Sequence, residues 1–175
     1  MLVRSLIAAS LAALATVAAA APDKPAGAAA SAPLCSVDLY VVDQDNFTNV
    51  RAQPDAKSKV EARIDPTYSV VRVTGVHGNW FRVSKIHDAD NDMLLFEGDG
   101  WMHRSLLGLS VASGENWLMA EPNPAARKLL KLTPDGNRLE PLDCRGDWLK
   151  VTADGKATGW IAREAQCANP MTTCS

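Results

Sequence analysis

Gly78-Asn79-Trp80-Phe81-Arg82-Val83 decides how the rest of the chain is read, because it returns as Gly146-Asp147-Trp148-Leu149-Lys150-Val151. Each version is a Gly with Asn or Asp, suited to a turn, then Trp, an apolar residue, a long cation and Val, suited to a strand. Upstream at the same spacing of 68 positions, Asn49-Val50-Arg51-Ala52-Gln53-Pro54 falls opposite Trp117-Leu118-Met119-Ala120-Glu121-Pro122. Downstream, Gly100-Trp101-Met102 answers Gly159-Trp160-Ile161, with nine additional residues in the first copy. A length of 175 residues suits one domain, but the self-similarity predicts two copies of one small β unit.

Around these anchors the chain alternates short extended runs with turn residues. Val37–Val42 predicts a first strand and Lys59–Ile64 another, with turn chemistry at 43–46 and a break at Asp65-Pro66. Tyr68–Val76 carries the strongest strand signal, and Gly78-Asn79 turns it into Trp80–Ser84. The nine-residue excess lies in Lys85–Gly100 and predicts a long hairpin with an acidic tip and an apolar return limb, Met93-Leu94-Leu95-Phe96. Asp135-Gly136-Asn137 and Asp154-Gly155-Lys156 are hairpin turns. Ala125–Leu132 suits a short helix in isolation, but its match to the run around Val60 makes it a strand. Short turns follow each copy at Arg104–Leu107 and Arg163–Gln166. Many short strands without a long helical period predict all-β barrels.

The order Asn-Val-Arg-Ala-x-Pro, β-rich middle, Gly-x-Trp-x-x-Val, then Gly-Trp plus an apolar residue resembles the bacterial SH3 (SH3b) domain family. Its repeats carry L-N-V-R-x-x-P, G-x-W-x-x-V and G-W-V. The resemblance covers residues 36–110 and 111–167; Asn49-Val50-Arg51 matches it well, whereas the second copy has Met119 in place of the Arg. It implies two tandem small SH3-like barrels, a first at 35–110 with the hairpin insertion and a second at 111–175 with a Cys-containing tail. It further implies peptidoglycan or peptide ligands.

Met1-Leu2-Val3-Arg4 and the apolar, Ala-rich run Leu6–Ala21 have the form of a cleaved signal peptide over 1–21. The run is short for a membrane span and has no basic stop-transfer flank. Leu34 before Cys35 is too bulky for a lipoprotein cleavage site, so no membrane anchor is expected. Residues 22–34 read as a flexible Ala/Pro-rich leader. The expected location is periplasmic or secreted. The formal net charge of −2 supplies no basic field for nucleic acid. Eight basic and twelve acidic side chains fall in 35–116, eight and seven in 117–175, an imbalance that serves solubility.

Cys35, Cys144, Cys167 and Cys174 make an even set in an exported chain, which favours disulfides over metal. Three pairings are open. Cys144 stands where the first copy has Val76, and Cys167 follows the terminal turn of the same copy, so Cys144–Cys167 is preferred, leaving Cys35 and Cys174 to pair or stay reduced.

No Gly-x-Ser-x-Gly, His-Glu-x-x-His or Gly-x-Gly-x-x-Gly occurs, and His77, His87 and His103 lie at positions that vary between the copies. No enzyme, cofactor or metal is expected. Asp88-x-Asp90-x-Asp92 has the opening rhythm of a calcium loop, but Met93 and Asp99 replace its Gly and Glu, and a solvated hairpin is the better reading. The aromatics carry the functional question. In an alternating strand Trp80 and Arg82 share one face and Phe81 and Val83 the other; Trp148 with Lys150, and Leu149 with Val151, repeat this. Phe/Val and Leu/Val make the core. Trp80 and Trp148 then sit outside or at the rim, either sealing the barrel or stacking on a ligand. Tyr68 and Phe47 are the other candidate ligand contacts, whereas Trp101 and Trp160 look structural. The expected partner is a peptidoglycan stem or bridge peptide, or alternatively an envelope protein, such as an enzyme needing an inhibitor or immunity partner.

Overall fold

The computed structural model describes residues 35–42, 47–65, 68–134, 136–169, 171, 172 and 174. The expected signal segment, the leader, the 43–46 turn and Asp135 lie outside them. Fourteen strands follow one another among the described residues: β1 (Val37–Val41), β2 (Thr48–Arg51), β3 (Val60–Ile64), β4 (Ser69–His77), β5 (Trp80–Asp88), β6 (Leu94–His103), β7 (Leu107–Gly108), β8 (Ser110–Val111), β9 (Asn116–Met119), β10 (Lys128–Leu132), β11 (Leu139–Arg145), β12 (Trp148–Ala153), β13 (Ala157–Ile161) and β14 (Gln166–Cys167). The two turns expected after the Gly-Trp strands are single 3-10 turns at Arg104–Leu106 and Arg163–Ala165. Ala125–Leu132 contributes a strand, as the repeat register requires.

A seven-stranded sheet runs β3-β2-β6-β5-β4-β1-β7, a five-stranded sheet β10-β9-β13-β12-β11, and β8 pairs with β14. The repeat survives in three dimensions. β5 and β12 each begin at a Trp after a left-handed Gly, Gly78 at φ +57° and Gly146 at φ +55°, a conformation a Cβ disfavours. β7 returns to β1 as β14 returns to β8. The main departure is the expected hairpin: β5 and β6 extend together, pairing Lys85 with Glu97 and Ile86 with Phe96. Asp88 and Asn91 shape its tip, with Oδ1 of each accepting the backbone N–H two residues on, at 2.7 and 2.9 Å.

Alternation places the core. Along β5 Phe81, Val83 and Ile86 are sealed inside while Trp80 and Arg82 stay half-buried; along β12 Leu149 and Val151 are inside while Trp148 and Lys150 stay half-buried. Buried apolar side chains from both copies form one continuous cluster. The chain around β1 makes the join. Cys35 N–H donates to Thr74 O of the first copy at 3.2 Å, Ser36 N–H donates to Gly146 O of the second at 2.9 Å, and Leu109 bridges to Leu139. Barrels this small bury little apolar surface alone, so a shared core adds stability.

The disulfides correct the preferred pairing. Cys35 bonds Cys144, 109 positions away with Cα atoms 5.6 Å apart, and Cys167 bonds Cys174. Spacing along one copy singled out the loop from Cys144 to Cys167, but the residues before β1 run across to the β11–β12 turn and carry Cys35 there. Cys167 is left for the tail, where its partner lies seven positions on.

Candidate ligand-binding surfaces

Residues opposite one another in a sheet share a face. In the first copy Arg51 and Arg82 flank Trp101, and Trp80 lies between His77 and His103. His77 meets Trp101 edge-on at 6.3 Å between ring centroids, and His103 meets Trp80 at 5.2 Å. Arg82 is held by Asp99: Nε donates to Oδ1 at 2.7 Å and Nη2 donates to Oδ2. Those hydrogen bonds hold the Asp99 carboxyl below the usual aspartate range and raise the Arg82 guanidinium. Arg51 Nη1 donates to Ser58 O at 2.8 Å.

In the second copy Trp160 lies between Met119 and Lys150, Met119 opposite Lys128, Trp117 opposite Lys131, and Trp148 opposite Arg145. Trp160 and Met119 point outward yet are only 8% and 7% exposed, because longer side chains cover them. Arg145 and Lys150 stand 5.7 and 5.8 Å from the Trp160 ring, and Lys128 and Lys131 stand 4.5 and 5.9 Å from Trp117. Sequence reasoning missed this arrangement, although the run Lys128-Leu129-Leu130-Lys131 opposite Trp117 was a signal once β10 was taken as a strand.

The four aromatic candidates do not share one neighbourhood. Trp80 packs on His103 and Trp148 faces Arg145. Phe47, 56% exposed, lies under the Arg63 guanidinium at 5.5 Å. Tyr68, 43% exposed and left-handed at φ +60°, offers its carbonyl to Ala89 N–H at 2.9 Å beside the hairpin tip, near exposed Met93 and Leu94. Trp101 is half-buried.

The copies meet along several clefts, and two of them carry titratable side chains from both copies. One, of about 600 Å³, includes Tyr40, Asn79, His103, Ser105, Arg138 and Glu140 in its wall. The other, of about 540 Å³, includes Asp38, His87, Asp88, Asp92 and Arg163. In the first, His103 Nδ1 lies 2.8 Å from Ser105 Oγ. Both belong to the start of one 3-10 turn, where Ser105 N–H also donates to Nδ1 at 3.4 Å. No carboxylate among the described residues hydrogen-bonds His103, and Trp80 packs edge-on against its ring, so the pair reads as a turn cap and lacks the orienting group a nucleophile requires. Among the described residues no group of three or more His, Cys, Asp or Glu is placed to hold a metal ion, and no helix is long and apolar enough to cross a membrane.

Two family models, each described as a bacterial SH3 domain, match residues 44–108 and 120–165. The chain is a tandem of bacterial SH3 domains. No curated protein sequence matches the tandem significantly. Among solved structures it is similar to NlpC2 and NlpC1 from Trichomonas vaginalis, at 13% and 12% identity and a TM-score of 0.32 in each case. The alignments cover 79% of this chain but 49% and 48% of those structures, so the bacterial SH3 tandem spans about half their length. A TM-score this low does not establish a shared fold.

Proposed function

We propose that this protein is a non-enzymatic, exported binding module of the bacterial cell envelope, and that its bacterial SH3 domains take extended peptide, the stem or bridge peptide of peptidoglycan. One observation carries the reading: in both copies a half-buried Trp, Trp80 and Trp148, stands on the face opposite the sealed core. A flat ring on that face suits an extended chain, which stacks on it while its backbone meets polar groups of the neighbouring strands. Two disulfides fit an oxidising compartment. Among the described residues no carboxylate hydrogen-bonds His103 to orient its contact with Ser105, which favours gripping over transforming.

Retention on purified, sedimented peptidoglycan tests this. The full chain is expected to co-sediment, and Trp80→Ala with Trp148→Ala is expected to release it. Absence of retention, or retention indifferent to both substitutions, excludes the wall reading. The second reading, an envelope protein as partner, rests on Tyr68, Met93 and Leu94 around the hairpin end, three large apolar side chains that stay exposed. Crosslinking from Leu94 in intact cells would then give one dominant protein adduct, whereas a smear of abundant proteins would reject it.

A further inference from the structure

The two copies have diverged at equivalent positions of the outer face. Arg82 corresponds to Lys150, Trp101 to Trp160, His77 to Arg145 and Asp99 to Thr158. In the first copy both cations beside Trp101 are engaged internally: Asp99 grips Arg82 through two hydrogen bonds, and Arg51 Nη1 donates to Ser58 O at 2.8 Å. In the second copy the acid is gone. Lys150 and Arg145 both lean over Trp160, and Lys128 leans over Trp117, with no carboxylate among the described residues within ion-pairing distance of any of the three. Asp143, opposite Lys150 in the register, turns its Oδ1 onto its neighbour's backbone, accepting Cys144 N–H at 2.8 Å. Glu115 reaches only Lys131, at 3.7 Å. The indole N–H of Trp117 is buried without an acceptor among the described residues. A chain of net charge −2 therefore concentrates uncompensated cations on one sheet face, each backed by an aromatic ring.

We infer that the outer face of the second barrel binds a peptide bearing free carboxylates, engaged by Lys150, Arg145 and Lys128 over Trp160 and Trp117, and that on the first barrel's equivalent face Asp99 withholds Arg82 from the same ligand. The rings matter in two ways. They hold the ammonium and guanidinium groups in place, and they exclude water from one side of each, so an incoming carboxylate meets a partly desolvated cation. Spacing the cations along neighbouring strands suits an extended chain with several acidic groups better than a single anion. The inference deepens the binding reading given above by assigning one barrel and one ligand chemistry to it.

The test uses the full disulfide-bonded chain and two labelled probes, tetraglutamate and tetraglutamine, followed by anisotropy at low salt. Tetraglutamate is expected to bind at least about tenfold more tightly, with affinity falling as salt rises. Lys150→Gln with Arg145→Gln is expected to remove about tenfold or more, Lys150→Arg to retain binding, and Arg82→Gln to leave it unchanged. Asp99→Thr, which copies the second barrel into the first, is expected to add a second site. Equal binding of both probes overturns the inference, as does an Arg82→Gln loss matching that of Lys150→Gln. Linear polyphosphate of matched charge outcompeting tetraglutamate would overturn the peptide assignment in favour of a general anion surface. The wall reading fails separately: carboxylate-selective binding without peptidoglycan retention removes that reading and leaves this one standing, whereas retention untouched by the Lys150 and Arg145 substitutions does the reverse.

Discussion

Asp154 shows how much one side chain ties together. It occupies the left-handed position of the β12–β13 turn at φ +53°, which Asp tolerates better than most residues. Its Oδ2 accepts from Asn137 Nδ2 and its Oδ1 from Arg138 N–H, both at 2.8 Å, and Asn137 in turn accepts Thr133 N–H at 2.9 Å. One carboxylate thus links that turn to the loop between β10 and β11. The Asn137 hydrogen bond, then that of Arg138, holds its pKa below the ordinary aspartate value. The folded state therefore binds this proton more weakly than the unfolded chain. The stabilisation is complete above the ordinary aspartate value and is lost as pH falls through the lower folded value. In an NMR titration the Asp154 carboxyl carbon should show a depressed midpoint and the Arg138 amide should move with it. Asp154→Asn, which suits the turn conformation, should abolish that movement; an amide that still titrates would contradict the assignment.

Glycines separate two kinds of demand on a strand. Gly78 opens β5 with a left-handed backbone and open space around it, so a side chain costs only conformational strain. Gly78→Ala should lower stability by about 1–2 kcal/mol, and Gly78→Asn should lose less. Gly159 in β13 is of the other kind. A Cβ there would sit 2.6 Å from Met119 O and 2.7 Å from Leu118 Cγ, so the contact of β13 with β9 depends on its absence. Gly159→Ala should cost about 1–3 kcal/mol through overpacking, and Asn should be worse than Ala. Urea denaturation of the four variants gives the ordering, and Asn rescuing position 159 would refute the steric account.

The two barrels are joined because isolated backbone bridges and a disulfide cross between them. Cys35–Cys144 closes a loop of 109 positions and Cys167–Cys174 one of seven. On the chain-entropy account these limit the unfolded chain by about 5 and about 2 kcal/mol respectively. Cys35→Ser with Cys144→Ser should therefore lower the urea midpoint more than Cys167→Ser with Cys174→Ser. It should also let the halves tumble with separate NMR correlation times, since it frees the segment that lies between Thr74 and Gly146. Equal losses from the two double variants would show that the long bond does not set the stability of the join.

Strand identities and inward faces were legible in the residues. Glycine, Asn and Asp fix turns through local backbone geometry, and alternation around Phe81 and Leu149 decides which side chains are buried. The repeat even settled Ala125–Leu132, where local propensity pointed to a helix. The disulfide partners, the common core and the uncompensated cations over Trp160 and Trp117 were not legible, because each joins residues that are distant along the chain or belong to different strands. A residue carries its own preference for turn or strand wherever it stands, but which cation meets which ring, and which cysteine meets which, depends on strand order and on Cys35 and Ser36, ahead of β1, reaching across to the second copy.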